Sequence, residues 1–117
     1  MSTDIMTVST SHDGGIAVVH VAGEVDMSSV APFADAVRDA LAERPTGLVI
    51  DLLEVTFCGS PGLHVLVEAR DGATTSDIEM CVVAVKAPVL RPLDISGLTP
   101  LFHMRQSVPD AVKELAA

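Results

Sequence analysis

Leu48-Val49-Ile50-Asp51-Leu52-Leu53, followed six residues later by Ser60-Pro61-Gly62-Leu63, decides the fold. The first run is apolar almost throughout and of strand length, the pattern of a strand covered on both faces. In the second, serine is a good helix N-cap and proline is favoured at the first helical position, so a helix is expected with Ser60 as its cap. Leu63, Leu66, Val67 and Arg70 continue at helical spacing, and Asp71-Gly72 is expected to end the helix. Residues 54–59 read as the loop between the two. A buried strand that runs through a loop into a helix is one unit of an alternating α/β chain.

Upstream, residues 7–10 form a candidate strand, His12-Asp13-Gly14-Gly15 a turn and residues 16–21 a second strand, together a hairpin. Gly23-Glu24-Val25-Asp26 leads outward from it. Ser28 or Ser29 is expected to cap a helix whose stripe is Val30, Phe33, Ala34, Val37 and Leu41, ended by Arg44-Pro45-Thr46-Gly47. Downstream, residues 79–85 read as an aliphatic strand and residues 88–96 as a short helix, interrupted or delayed by Pro92. Residues 98–103 are expected to be a last strand. Ser107-Val108-Pro109-Asp110 opens a terminal helix with the spacing of a capping box. The expected fold is therefore α/β: a mixed sheet with an N-terminal hairpin, flanked by about four helices, with right-handed parallel crossovers.

The chain has 117 residues, which predicts one domain over residues 1–117, with about residues 1–6 as a flexible N-terminus. There is no Trp or Tyr and only three Phe, so the core must be aliphatic. The formal charge of −9 opposes phosphate backbones, and no basic patch is visible, so nucleic acid is not an expected partner. The same charge disfavours anionic membranes and suits a partner with a basic face. No apolar run is long enough to span a bilayer, and the first ten residues lack the pattern of a signal peptide, so a cytoplasmic location is expected. Cys58 and Cys81 are then expected as free thiols.

No enzyme is expected. Gly59-Ser60-Pro61-Gly62 is not the Gly-x-Ser-x-Gly arrangement of hydrolases. His12, His20, His64 and His103 show neither zinc-ligand spacing nor a triad pattern, so each reads as a surface or helix-face residue. No phosphate-binding glycine loop occurs, and no cofactor is expected. Cys58 and Cys81 fall at opposite ends of neighbouring strands, too far apart for a disulfide. What remains is Ser60, a hydroxyl where a strand leaves the sheet and a helix starts. A phosphate there would meet the positive end of the helix dipole and free backbone N–H groups.

Three segments in order resemble the STAS domain family, and within it the stand-alone bacterial anti-sigma-factor antagonists. Gly23-Glu24-Val25-Asp26 is similar to the family's Gly-Glu-Leu-Asp. Residues 48–63 are similar to its strand, Val-x-Phe, loop and Asp-Ser-x-Gly-Leu helix start. Gly97-Leu98 with Phe102 is similar to its late Gly-Leu-x-x-x-Phe. The resemblance spans nearly the whole chain and implies a partner-switching regulator without catalysis of its own. Its partner would be an anti-sigma factor with serine kinase activity, captured so that a sigma factor is released. Ser60 would be the phosphorylation site that switches binding off, and a phosphatase would reset it. Glu24, Asp26, Gly59, Ser60, Pro61, Gly62, Leu63 and His64 would form the partner-binding face. The chain departs from the pattern at Gly59, where the family has an acid, and at Pro61, where a second serine is common. The alternative is a ligand- or redox-sensing module of the same family without a phospho-switch.

Overall fold

A computed structural model describes residues 5–117. In chain order the elements are β1 (Met6–Asp13), β2 (Ile16–Val25), α1 (Ala31–Ala42), β3 (Gly47–Cys58), α2 (Ser60–Thr75), β4 (Glu79–Val83) and α3 (Ala87–Ile95), then a 3-10 turn (Thr99–Leu101), β5 (His103–Arg105) and α4 (Val108–Ala116). The spatial order of the strands is the same as their chain order, β1-β2-β3-β4-β5. β1 runs antiparallel to β2, and β2 to β5 are parallel. This is the mixed sheet with an N-terminal hairpin and four helices that the sequence pattern implies. Of the residues expected to be a flexible N-terminus, Met6 opens β1, and residues 1–4 lie outside the described part.

The sheet separates two apolar layers. On one face Ala17, Val19, Leu48, Ile50, Leu52 and Val82 meet α1, α2 and α3. Each helix contributes residues at three- and four-residue spacing: Phe33, Val37 and Ala40 from α1, Val65, Leu66, Ala69 and Ala73 from α2, Val89 and Leu93 from α3. Leu66 is wholly buried, and such a side chain contributes roughly 1.5–3 kcal/mol over an exposed one. On the other face Ile16, Val18, Val49, Cys81 and Val83 pack under α4 alone. Leu48, Val49 and Ile50 are all fully buried because consecutive side chains enter opposite covered faces. Among the described residues no polar or charged residue is buried. No helix among the described residues is long and apolar enough to cross a membrane.

Four local expectations are corrected. Residues 54–58 are not a loop: β3 continues to Cys58 beside β2. Val55 and Cys58 face the core while Glu54, Thr56 and Phe57 are exposed, so half-burial made a strand look like a polar connection. The last strand is His103–Arg105, not residues 98–103. Pro100 cannot donate to a ladder, and Leu98 N bonds Leu93 O (2.8 Å) to end α3 before the 3-10 turn. Neither Ser28 nor Ser29 caps α1, whose N-cap position is Val30 without a side-chain bond. α3 runs through Pro92, at the cost of one intrahelical N–H.

Gly23 explains one segment on physical grounds. Its φ is +93°, and a Cβ there would stand 2.1 Å from Ile5 O. Only glycine lets β1 begin this close to the end of β2.

Candidate functional site

β2 and β3 end side by side. Val25 pairs with Cys58, and Gly59 N donates to Val25 O (2.9 Å). Asp26 and Ser60, the residues that follow, are thereby brought to the same end of the sheet. Gly59 is the N-cap of α2, in an extended conformation, and Ser60 is the first helical residue. The expected capping role of Ser60 is therefore corrected. Its side chain is exposed and makes no cap bond. The reason lies one residue earlier: Gly59 O accepts from Gly62 N (3.0 Å) and Leu63 N (3.2 Å), tightening the first turn from the backbone. Pro61 has no N–H, so the expected set of free donors shrinks to the N–H of Ser60 itself.

The floor under this turn is close-packed. A Cβ on Gly62 would lie 2.8 Å from Cys58 Sγ and 2.9 Å from Val25 Cγ1. Glycine therefore sets how near α2 sits to the strand ends. Burial pushes the Cys58 thiol up to about 11, so it stays protonated near neutrality. Gly59 leaves room on the outer side, where the Phe57 ring stands 3.3 Å from the place a Cβ would take.

Asp26 organises the neighbouring turn. Its Oδ1 accepts from Ser28 Oγ (2.8 Å), Ser28 N (2.9 Å), Ser29 N (3.2 Å) and Ser29 Oγ (3.2 Å). Ser29 Oγ also donates to Glu24 O (2.7 Å). The Ser28 hydroxyl foremost, with these other donors, holds the Asp26 carboxyl below its ordinary range. The serines thus fix a charged carboxylate at the entrance to α1 through its Oδ1. Glu24 and His64 are exposed, Pro61 and Leu63 half-buried, and His64 pairs with Glu68 on the outer face of α2 (2.8 Å).

Around Ser60 the surface is unusually apolar. Met27 follows β2, Phe57 is the last but one residue of β3, Val85 follows β4, and all three are exposed, Met27 at 86 %. Ile95 is 82 % exposed. Together with Phe57, Pro88, Arg91 and Pro92 it lines a groove of about 600 Å³ between the end of β3 and α3. Sequence reasoning did not select Met27, Phe57 or Ile95, since a lone apolar residue in a loop or on a helix carries no signal until the strand ends are aligned. A second cleft, about 380 Å³, lies at the other end of the sheet between Arg70, Glu79, His103 and Glu114.

Cys58 and Cys81 are both free and buried. They face opposite layers of the core, and Cys81 pairs with Val49, nine residues before Cys58 on β3. At about 3.3 Å per residue that is roughly 30 Å, so the two cannot form an intramolecular disulfide. Among the described residues no three His, Cys, Asp or Glu side chains gather to hold a metal. One histidine is not the isolated surface residue expected. His20 lies between Ser11 Oγ (2.9 Å from Nε2) and Asp51 Oδ2 (2.8 Å from Nδ1). The three come from three strands, and no linear spacing marks them.

The STAS domain model matches residues 7–111. The chain belongs to the STAS domain family. Among its relatives is the anti-sigma-F factor antagonist RsfB of Mycobacterium tuberculosis, 34 % identical over 109 residues, covering 93 % of this chain and 88 % of that protein. The crystal structure of an anti-sigma factor antagonist from Mycobacterium paratuberculosis superposes with a TM-score of 0.86 at 30 % identity, covering 99 % of this chain and 98 % of the other. The Bacillus cell fate determinant SpoIIAA in its phosphorylated form shares the fold (TM-score 0.73, 14 % identity, 93 % and 99 % covered).

Proposed function

We propose that this chain is an anti-sigma-factor antagonist, a binding module without catalysis of its own, switched at Ser60. In its unphosphorylated state it captures an anti-sigma factor with serine kinase activity, and a sigma factor is released. Phosphorylation of Ser60 weakens that capture, and a phosphatase restores it. One observation carries the reading: an exposed serine, relieved of capping by Gly59, stands among exposed apolar side chains at the joined ends of β2 and β3. Large exposed apolar patches mark docking surfaces. The names of the relatives support the same reading.

Glu24, Asp26, Gly59, Pro61, Gly62, Leu63 and His64 form the docking rim around Ser60. A phosphate adds about 1.5 to 2 negative charges. With Pro61 lacking a donor and Gly59 O already engaging Gly62 and Leu63, little of that charge is neutralised locally. It sits beside the Asp26 carboxylate on an otherwise apolar face, so its bulk and the cost of desolvating its charge oppose docking of a partner that fits the unmodified surface. Gly59, in place of an acid, keeps the ground state of this spot uncharged and widens the contrast between the two states.

The test is capture of a kinase-type anti-sigma factor, identified by mass spectrometry, on immobilised wild type, Ser60→Ala and Ser60→Asp. Retention by the first two and loss by the third supports the switch. Equal retention by all three overturns the switch and leaves the binding module. No such protein on any version overturns the binding reading.

A further inference from the structure

On the face that carries α4, the helix packs on the layer of Ile16, Val18, Val49, Cys81 and Val83. Beside it, across β1, β2 and β3, Ser11, His20 and Asp51 form a directed hydrogen-bond chain. Asp51 is held at both oxygens: Oδ1 accepts from Leu53 N (3.0 Å) and Oδ2 from His20 Nδ1 (2.8 Å). The Leu53 N–H is supplied by a bulge, where β3 spends three residues from Asp51 to Glu54 against two on β2 from His20 to Ala22. A carboxylate only accepts, so His20 carries its hydrogen on Nδ1 and, when neutral, turns the Nε2 lone pair to Ser11 Oγ at 2.9 Å. A nucleophile within reach of a base, and a base oriented by a third group, is the arrangement that activates a serine. Ser11 is exposed on β1, an edge strand, where alternate backbone N–H groups lack a strand partner.

We propose that Ser11 is a base-activated hydroxyl that takes an acyl group from activated acyl donors, esters or thioesters, as a modification site separate from Ser60. Ser11 Oγ adds to the donor carbonyl while its proton passes to His20 Nε2. The carbonyl–sulfur or carbonyl–oxygen bond of the donor then breaks, and the proton goes from His20 to the departing thiolate or alkoxide. The products are acyl-Ser11 and a free thiol or alcohol, with no oxidant or further reactant. Ser11 pairs with Val18, and Val25, which holds Gly59, lies seven residues further along β2. The two serines are therefore roughly 23 Å apart along the sheet, so modification of one leaves the other open.

The test treats the full chain with p-nitrophenyl acetate and, separately, with a fluorophosphonate, and locates adducts by tandem mass spectrometry. The expected result is one adduct, on Ser11, unchanged in rate by Ser60→Ala and abolished by Ser11→Ala. His20→Gln should slow its formation by about 10²–10⁴-fold, the usual contribution of a positioned general base, and Asp51→Asn should slow it as well. An unmodified Ser11 in the native chain overturns the proposal without any variant having to fold. So does an adduct rate indifferent to His20→Gln, or labelling spread over several serines, since the chain would then be only a structural hydrogen-bond network.

Discussion

Two helices of this protein begin near a serine and a proline, and they use the serine in opposite ways. At α4, Ser107 is the N-cap, and its hydroxyl accepts from Asp110 N (3.2 Å). At α2 the cap falls on Gly59, Ser60 is already helical, and its hydroxyl is left to solvent. The offset of the proline separates the two: it stands two residues after Ser107 but directly after Ser60. A capping serine is committed to its helix. A serine displaced by one position is structurally idle and therefore available for modification.

The sharpest way to break this contrast is charge. Ser60→Asp should weaken capture of the anti-sigma factor by about 100-fold or more, since desolvating a new charge against an apolar docking face costs several kcal/mol. Titration of the purified pair by calorimetry reads it, and affinity within a few-fold of wild type would remove Ser60 from the interface. The next effect is steric. Gly62→Ala places a methyl against Cys58 and Val25 and should destabilise the fold by about 1–3 kcal/mol, seen as an earlier urea midpoint. An unchanged midpoint would mean that α2 can lift off the strand ends.

The smaller effects test the serines as such. Ser107→Ala should cost about 1 kcal/mol, the worth of a serine cap, in the same urea titration. Ser60→Ala should shift stability by no more than about 0.5 kcal/mol. If the two alanine variants lose equal stability, Ser60 has a cap role after all and the contrast fails.

The large features were legible because burial writes itself into hydrophobic period. The run at residues 48–53, the stripe of Phe33 and Val37, and the Ser107 cap all follow from local sequence. The far half of β3 was not legible, because only Val55 and Cys58 face the core there and two register shifts break the alternation. Ser60 was legible as a residue at a junction, but its one-place offset from the cap depends on Gly59 taking the extended conformation. The Met27, Phe57 and Ile95 surroundings, and the Ser11–His20–Asp51 chain, depend on which strands stand side by side, which no single segment encodes.

The identity of spatial and chain order in the sheet has a consequence for synthesis. Each strand pairs with the one made just before it, so a chain emerging from the ribosome completes every ladder without waiting for a distant partner. Long-range pairings are what slow folding most. Only the closing layer comes late: α4, the last element, covers Val18, Val49 and Val83. A chain stalled or clipped before Val108 would hold its sheet and still present that apolar face bare, an adhesive surface that quality-control proteases and chaperones recognise.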